Sequence, residues 1–277
     1  MNNLIIPNPQ DLEQKKQTIK EQGADKIHVL ADFDRTLTKG TVNGEKIPSV
    51  ISILRNGDYI SKDYAKKAHE LAEKYYPIEI DPTIPLEDKK GKMLEWWQAH
   101  FDLLIKSGLN KKHLRAIIEE DKIQFRDGVI NFIDFLNKKN IPLIIISSSG
   151  VGDTIQMFLE KENKLYNNIH IITNTYEWDE NGTAIKVKEP IIHVANKEET
   201  EVNMPEVKGK TNVFLLGDGI GDVKMIEGFE YNVLIKIGFL NEKIEESLGQ
   251  YKENFDVVIT NDGDFGFVNK LMREIIA

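Results

Sequence analysis

The sequence predicts an α/β fold, with a mostly parallel sheet, a helical cap inserted after the first strand and a β-hairpin extension. Short apolar runs typical of buried strands alternate with amphipathic helical segments, which indicates a parallel sheet covered by helices. About 85 residues of mostly helical pattern separate the first apolar run from the next, and this insertion predicts the cap. Two β-rich runs flank the turn signal Asp179–Gly182, which predicts the hairpin.

The composition excludes several classes of protein. A net charge of −9 over 277 residues disfavours a nucleic-acid partner, because nucleic-acid-binding modules usually carry a basic surface. The absence of cysteine excludes disulfides and thiolate metal sites, and it fits a reducing compartment. No apolar run approaches the roughly 20 residues of a membrane span, and the N-terminus has no apolar signal core. We therefore expect a cytoplasmic monomer without membrane or nucleic-acid partners.

The chain is expected to begin and end in helices. A short polar helix near the N-terminus has Asn8 or Asp11 as its cap, and Gly23 is expected to end it. At the other end, the apolar run 256–260 predicts a strand that leads into a C-terminal helix. The N-terminal helix is expected to be a solvated lead-in to the first strand.

The first apolar run, 27–31, ends in two acids. Asp32 follows the run directly and Asp34 lies two residues later, so both carboxylates are expected at the carboxyl end of a buried strand. In an open parallel sheet, ligands bind in the crevice outside these ends. An acidic turn after a strand is also common in proteins without such a site. This stretch alone leaves both interpretations open.

The inserted segment is predicted to contain three amphipathic helices. In the first, apolar residues recur at three- and four-residue steps from Tyr64 to Tyr75. Three prolines between Tyr76 and Pro85 are expected to lie outside helices, because a helix interior does not accept proline. The other two helices are expected within 92–108 and 111–121. We assign residues 40–125 to the cap and residues 1–39 and 126–277 to the core.

The second apolar run, 141–146, leads into a serine-rich turn. Ser147, Ser148 and Ser149 follow the run, and a helix begins near Gly152. Hydroxyls and free backbone N–H groups at a junction of strand and helix form an anion site, and the helix dipole strengthens it. The alternative is an ordinary serine-rich turn with a helix cap.

A third apolar run, 213–216, repeats the design of the first. Asp218 lies just beyond it, and Asp222 follows four residues later, so both acids face the same side if the chain turns into a helix there. Lys197 lies in the connection between the serine turn and this run. A further strand, a polar helix and the C-terminal elements complete the chain.

The ends of these three runs are expected to converge on one crevice, since parallel strands carry their carboxyl ends at one edge of the sheet. Carboxylates this close repel each other by about 4 kcal/mol per pair at 4 Å in an effective dielectric near 20. We therefore predict Mg²⁺ held by Asp32, Asp218 and the backbone carbonyl of Asp34. One acid of the first pair would attack phosphorus and the second would carry the proton. Lys197 would neutralise the transferring group, although it could equally be a surface lysine.

The quoted motifs resemble those of a known superfamily. The set DFDRT, serine turn, lysine and GDGIGD resembles the haloacid-dehalogenase-like phosphatases. The segments YYPIEIDP, EWW, SGVGD, KTNVFLLGDGIGD and KIGFLNEKIEE are further similar to the cytosolic 5′-nucleotidase III family, also called the pyrimidine 5′-nucleotidases. This resemblance implies a Rossmann-like core with an inserted helical cap, and Mg²⁺-dependent removal of phosphate from nucleoside 5′-monophosphates.

The resemblance also implies the roles of individual residues. It makes Asp32 the nucleophile and Asp34 the acid/base, and it assigns the phosphate to Ser148, with its neighbour Ser149, and to Lys197. It adds Asp218 to the metal site, with Asp222 in an outer position. The turn SSSGVGD is one residue longer than usual in the family, so either Ser147 or Ser148 faces the phosphate; counting back from Gly152 favours Ser148.

The cap is expected to select the base. By resemblance, Glu79 accepts hydrogen bonds from the base and Trp97 offers a stacking face, although without the family Glu79 reads as a solvated acid. In the family this stacking residue is often tyrosine where pyrimidines are preferred, and tryptophan where 7-methylguanosine monophosphate is accepted. His100 stands where a small hydroxyl residue is common. Both pyrimidine nucleotides such as CMP and UMP, and 7-methylguanosine monophosphate, therefore remain candidate substrates.

Other functions compete with hydrolysis of nucleotides. A signalling receiver accepts a phosphoryl group on an aspartate, but it needs neither a cap nor an acid two residues after the nucleophile, so Asp34 and the insertion favour an enzyme. Transfer of the phosphoryl group to another nucleoside, or general hydrolysis of small phosphate esters, uses the same residues. The sequence does not separate these two from a nucleotidase.

Overall fold

The structure is a computed structural model that describes residues 3–42, 44–81, 83–197 and 204–276. In chain order its strands are β1 (Leu4–Ile5), β2 (Ile27–Ala31), β3 (Thr41–Val42), β4 (Glu45–Lys46), β5 (Leu143–Ser147), β6 (Ile169–Thr173), β7 (Tyr176–Trp178), β8 (Ala184–Val187), β9 (Asn212–Gly217), β10 (Val233–Leu240) and β11 (Val257–Thr260). Its α-helices are α1 (Pro9–Gln22), α2 (Val50–Asn56), α3 (Lys62–Ile80), α4 (Leu86–Lys106), α5 (Lys111–Glu119), α6 (Val129–Lys138), α7 (Asp153–Lys161), α8 (Ile244–Asn254) and α9 (Gly266–Ile276).

The central sheet has the strand order β1-β11-β10-β9-β2-β5-β6. Neighbouring strands run parallel except β1, which is antiparallel to β11. The predicted mostly parallel sheet is confirmed. The sequence pattern does not predict β1, because two half-buried residues are too few to give a periodic signal. The run expected as the first strand of the sheet is therefore the second, and the inserted helices follow β2.

Different apolar clusters cover the two faces of the sheet. Val29 of β2 packs in a cluster with residues of α1, α6 and α9, whereas its neighbour Leu30 packs in a cluster with residues of α8. Phe214 and Leu215 of β9 divide between the two clusters in the same way. Side chains of a strand alternate between faces, and both faces here are covered. This is why the central strands read as continuous apolar runs.

The segment between β2 and β5 contains the predicted helices. Tyr64, Ala68 and Tyr75 form the buried face of α3, as the spacing predicts. The expectation that no helix includes the prolines is wrong at Pro77, which lies inside the last turns of α3. Proline cannot donate a backbone hydrogen bond there. Lys89 Nζ of α4 donates to the carbonyls of Glu79 and Asp81, at 2.9 Å each, and so satisfies acceptors at this helix end.

The predicted hairpin is formed by β7 and β8, which pair antiparallel. Its turn contacts the loop between α4 and α5. The backbone N–H of Lys111 donates to the carbonyl of Gly182 at 2.9 Å, and the backbone N–H of Ala184 donates to the carbonyl of Leu109 at 2.8 Å. The hairpin therefore braces the inserted helices against the segment that follows β6.

The helices at the two ends of the chain are as predicted. Asn8 caps α1, where its side chain accepts a hydrogen bond from the backbone N–H of Asp11 at 3.1 Å, and Gly23 ends the helix. At the C-terminus, β11 leads into α9. No helix in the described ranges is both long enough and apolar enough to cross a membrane.

Strand β2 lies where the order of the sheet reverses. The chain passes from β2 to β5 and β6 on one side, and then crosses to β9, β10 and β11 on the other side. Ala31 at the end of β2 pairs with Ile145 of β5 and with Leu216 of β9. The residues that follow these three strands therefore meet at one edge, and such a reversal is where open α/β sheets bind ligands.

Candidate active site

Asp32 is held at the carboxyl end of β2. Its backbone N–H donates to the carbonyl of Leu216 at 3.0 Å, which continues the pairing of β2 with β9 by one residue. Its side chain is 6% exposed. Oδ1 accepts a hydrogen bond from Lys197 Nζ at 2.7 Å, and Oδ2 accepts one from Thr36 Oγ1 at 3.3 Å. The carboxylate is thus fixed through both of its oxygens.

Three carboxylates meet beside the ends of β2 and β9. Asp32, Asp218 and Asp222 each offer an oxygen, and these atoms lie within 4.8 Å of one another. Asp222, expected in an outer position, stands inside this group, and its Oδ2 accepts a hydrogen bond from the backbone N–H of Gly219 at 2.9 Å. A Cβ atom at Gly217 would lie 2.4 Å from Asp222 Cβ, so only glycine at the end of β9 permits this approach.

The electrostatics of this group suit a divalent cation. Burial raises the pKa of Asp218 to about 8; the charges of Asp32 and Asp222 add to the effect, and Arg35 opposes it. Burial likewise raises the pKa of Asp32, against the opposing charge of Lys197. Acids that resist ionisation because they are buried together favour a cation among them. Carboxylate oxygens are the ligands that Mg²⁺ prefers, so the residues present fit that ion.

Lys197 is a buried lysine and not one of the surface lysines. Its side chain is 5% exposed, and Nζ lies 2.7 Å from Oδ1 of Asp32 and 2.7 Å from Oδ1 of Asp222. Burial alone would lower the pKa of Lys197, but the charges of Asp222 and Asp32 raise it above the ordinary value. The lysine therefore stays protonated and supplies a fixed positive charge beside both acids.

Asp34 lies on the tight turn Phe33–Leu37 that follows Asp32. Its carboxylate accepts a hydrogen bond from the backbone N–H of Val50, the first residue of α2. Burial and then the charge of Asp32 raise the pKa of Asp34 to about 7. Both protonation states are then populated near neutral pH, which is what a residue that gives and takes a proton requires.

The serine turn follows β5 at the same edge of the sheet. Ser147 is buried and its Oγ accepts a hydrogen bond from the backbone N–H of Ser149 at 3.1 Å, whereas Ser148 is half-buried. The hydroxyl of Ser147 is therefore engaged within the turn. The hydroxyl of Ser149 is engaged too, because it accepts from the backbone N–H of Val151 at 3.4 Å. This arrangement favours Ser148 over Ser147 as the hydroxyl that faces a ligand.

Asn174 ties the serine turn to the segment that leads to Lys197. It is fully buried. Its Nδ2 donates to the carbonyl of Ser149 at 3.1 Å and to that of Ile192 at 2.7 Å, and its Oδ1 accepts from the backbone N–H of Ile192 at 2.8 Å. The sequence pattern does not predict this role, since an asparagine after a strand is typical of an ordinary turn.

The sequence pattern does not predict a role for Arg35 in the site either. Arg35 adopts φ +59°, which is rare for a residue other than glycine. Its Nε lies 3.0 Å from Oδ2 of Asp218, and its side chain is 43% exposed. Its position in the motif does not predict this role. The side chain reaches the carboxylate of Asp218, which lies 183 positions later in the sequence (218 − 35).

The predicted base-binding residues lie on α3 and α4. Trp97 is half-buried beside the serine turn, where a Cβ atom at Gly150 would lie 2.4 Å from Trp97 Cζ3. Burial raises the pKa of Glu79, while the charges of Lys89 and Arg35 oppose it. Glu79 is therefore half-buried and not a fully solvated acid. His100 stacks on Trp97 with ring centroids 5.9 Å apart.

His100 lies inside the helical layer, by which we mean α3 and α4. It is 2% exposed, and its Nε2 lies 3.1 Å from the hydroxyl of Tyr64. Burial lowers the pKa of His100 to about 3, so it is neutral at physiological pH. The structure therefore brings His100 together with Trp97 but not with the acidic group.

A small apolar cluster joins the inserted helices to the Lys197 segment. Tyr75 of α3, with Met93 and Trp96 of α4, packs around Ala195, which lies two residues before Lys197. Trp96 is the buried member of the tryptophan pair and Trp97 the more exposed one. Trp97 is therefore the member of the pair whose side chain is not fully enclosed.

Comparisons with known proteins agree with these observations. The family model for pyrimidine 5′-nucleotidase (UMPH-1) matches residues 35–276. A 7-methylguanosine phosphate-specific 5′-nucleotidase of Gallus gallus is 36% identical over 265 residues, which cover 94% of this chain and 91% of that protein. The Homo sapiens protein of the same name is 34% identical over 278 residues, which cover 99% and 92%.

Solved structures show the same relationship. The crystal structure of cytosolic 5′-nucleotidase IIIB bound to cytidine matches with a TM-score of 0.91 at 26% identity, over 99% of this chain and 94% of that chain. A probable phosphoserine phosphatase from Vibrio cholerae shares the fold, with a TM-score of 0.58 at 13% identity, over 93% and 68%. The resemblance seen in the sequence motifs is confirmed: the chain belongs to the pyrimidine 5′-nucleotidase family.

Proposed function

We propose that this protein is a Mg²⁺-dependent 5′-nucleotidase that hydrolyses nucleoside 5′-monophosphates to nucleoside and phosphate. The observation that carries the proposal is the convergence of Asp32, Asp218 and Asp222 with the buried Lys197 at the reversal point of the sheet. Membership of a family of phosphoric monoester hydrolases supports the reaction. The division into a core (1–39 and 126–277) and a specificity cap (40–125) belongs to this proposal.

The first step forms a phosphoenzyme. A carboxylate oxygen of Asp32 attacks phosphorus, the new bond from oxygen to phosphorus forms, and the bond from phosphorus to the 5′ oxygen of the nucleoside breaks. Asp34 gives its proton to the departing oxygen, so that the nucleoside leaves as a neutral alcohol. The raised pKa of Asp34 supports this role, since a carboxyl with an ordinary pKa is ionised at neutral pH.

The second step frees the phosphate. Asp34, now ionised, takes a proton from water as the water oxygen attacks phosphorus and the bond to Asp32 breaks. Lys197 and Ser148 hold the phosphoryl oxygens through both steps. Asn174 keeps the serine turn and the Lys197 segment at a fixed separation, because its side chain bonds to both of them.

Asp32, Asp218 and the backbone carbonyl of Asp34 would hold Mg²⁺, with Asp222 beside them. Mg²⁺ bound there supplies positive charge against the phosphoryl oxygens and the crowded carboxylates. The chain's own contribution is to fix Asp32 through the hydrogen bonds from Lys197 and Thr36.

The base is proposed to bind between the helical layer and the serine turn. Trp97 would stack on it and Glu79 would accept hydrogen bonds from it, with His100 supporting Trp97 from behind. A tryptophan face and a nearby carboxylate favour a cationic base such as 7-methylguanine. Two similar proteins are named for 7-methylguanosine phosphate, and the similar solved structure holds cytidine, which supports both substrate classes. We further propose a cytoplasmic monomer, and the name of that cytosolic relative supports the compartment.

A panel of phosphate esters tests the proposal. Phosphate release is measured with the 5′-monophosphates of cytidine, uridine and 7-methylguanosine, and with phosphoserine and p-nitrophenyl phosphate, each with Mg²⁺ and with EDTA. We expect at least one nucleotide to be preferred over phosphoserine, and EDTA to remove the activity. Release from phosphoserine but from no nucleotide would contradict the proposal. Adding a second nucleoside separates the reactions, since transfer would yield a new nucleotide in place of free phosphate.

Trp97→Ala is expected to raise KM for the preferred nucleotide by about 10-fold, because stacking of a base on an aromatic ring contributes about 1–3 kcal/mol. KM for p-nitrophenyl phosphate, which has no base, should change by less than about 2-fold on the same physical ground. Trp97→Phe is the matched control, since it retains an aromatic face. An equal rise in KM for both substrates of Trp97→Ala would exclude Trp97 as the base platform.

A further inference from the structure

Arg126 is among the largest fully buried side chains in the described part of the chain. It is 1% exposed, and its guanidinium lies over the ring of Phe239 at 4.5 Å from the centroid. A buried arginine remains charged, so all of its donors need partners. The partners of Arg126 identify what this residue does.

Two of the partners belong to the turn that carries Asp34. Arg126 Nη2 donates to the carbonyl of Arg35, and Nε donates to the carbonyl of Thr36 at 3.0 Å. Asn241 Nδ2 also donates to the carbonyl of Arg35, at 3.0 Å. Since Arg35 has φ +59°, the turn takes a conformation that arginine rarely adopts without such support.

The other partners fix Arg126 itself. Nη1 donates to the carbonyl of Gly263 at 2.8 Å and lies 2.8 Å from Oδ1 of Asp262. Nη2 donates to Oδ1 of Asn241 at 3.1 Å. The guanidinium is therefore held by the loop after β11 and by the end of β10. Its hydrogen bonds to the turn restrict the movement of the turn relative to these segments.

The same place is where the chain enters and leaves the inserted helices. The backbone N–H of Lys39 donates to the carbonyl of Gln124 at 3.0 Å, and that of Arg126 donates to the carbonyl of Leu37 at 2.9 Å. Both oxygens of Asp262 accept from the entering segment, Oδ1 from Gly40 N–H and Oδ2 from Thr41 N–H, at 2.9 Å each. The pair of Arg126 and Asp262 thus joins both connections to the turn.

We propose that Arg126 is a positioning residue for the reaction: it holds the turn Asp34–Thr36 so that the Asp34 carboxyl stays aligned with the 5′ oxygen that leaves phosphorus. The inference rests on the proposed function for the role of Asp34, but the contacts of Arg126 with the turn do not depend on it. Lysine cannot reproduce the contacts, because its single ammonium does not reach the carbonyls of the turn, the carbonyl of Gly263 and the side chain of Asn241 at once.

The test compares Arg126→Lys with Arg115→Lys, a matched change at an exposed arginine of α5. We expect Arg126→Lys to lower kcat by about 10- to 100-fold, because small misplacements of catalytic groups have effects of this size. KM should stay within about 3-fold, since Trp97 and the phosphate ligands are untouched. Amide hydrogen exchange should become faster in peptides that cover 33–42. Arg115→Lys should leave all three quantities at the wild-type values.

A second variant covers the case in which Arg126→Lys does not fold. Asn241→Ala removes one donor to the carbonyl of Arg35 and one acceptor of Arg126, but it keeps the other contacts of Arg126, so we expect a smaller loss of kcat and faster exchange in the same peptides. Unchanged exchange in 33–42 would overturn the inference, whatever the substrate. Faster exchange with an unchanged kcat per folded molecule would overturn it too, because Arg126 would then be structural only. Wild-type inactivity on every nucleotide would instead contradict the proposed function, and hydrogen exchange would still decide the contact of Arg126 with the turn.

Discussion

Replacing Asp32 by asparagine is expected to abolish phosphate release, with a fall in kcat of at least about 10⁴-fold, because loss of an enzyme nucleophile has effects of this size. An amide oxygen does not attack phosphorus to give a stable phosphoenzyme. The fold should persist, since asparagine has the same shape and Lys197 keeps its ion pair with Asp222 at 2.7 Å. Phosphate release with the preferred nucleotide and a thermal melt measure the two expectations.

Asp32 is also proposed as a metal ligand, so a matched variant is needed. Asp218→Asn removes a carboxylate from the same group but leaves the nucleophile, and raising Mg²⁺ should restore part of its activity. The activity of Asp32→Asn should not return at any Mg²⁺ concentration. Turnover by Asp32→Asn at high Mg²⁺ would show that Asp32 serves as a metal ligand and not as the nucleophile.

Replacing Asp34 by asparagine is expected to lower kcat for nucleotides by about 10²- to 10⁴-fold, the usual contribution of a general acid or base. In the absence of the Asp34 carboxyl, the nucleoside must leave as an alkoxide and the water must attack without a base. The protein should remain folded, because Asp34 is half-buried and an asparagine oxygen can still accept from the backbone N–H of Val50. Steady-state and single-turnover phosphate release measure the effect.

An aryl phosphate separates the two steps for this variant. The leaving group of p-nitrophenyl phosphate departs without a proton, so Asp34→Asn should still form the phosphoenzyme and release a rapid burst of about one p-nitrophenolate per enzyme. The following turnover should be slow, because the attack of water needs the base. Near-normal turnover of nucleotides by this variant would remove Asp34 from the mechanism.

Features carried by continuous runs of sequence could be predicted. The strands β2, β5 and β9 are buried on both faces, and such strands leave apolar runs that end at Asp32, Ser147 and Asp218. Parallel order then brings their ends together, as the structure has it. The helix through Pro77 escaped prediction, because Lys89 at the start of the next helix supplies the donors at its end.

Features made by contacts between distant residues left no signal. Arg126 binds the carbonyl of Thr36 across 90 positions and that of Gly263 across 137 positions. A carbonyl acceptor is present at every residue, so its use cannot be read from residue type. Asn174 and the positive φ of Arg35 are hidden for the same reason, since each depends on which segment lies opposite.

The packing of Ala195 against Tyr75, Met93 and Trp96 limits how the substrate range of this protein can be altered. The helices proposed to contact the base therefore pack directly against the segment that positions the ammonium of Lys197. Replacing α3 and α4 by the corresponding helices of a relative would therefore shift the Lys197 ammonium relative to the phosphate, unless segment 191–197 were replaced as well. Variants designed for a new base should therefore change the helices and segment 191–197 together if turnover is to be retained.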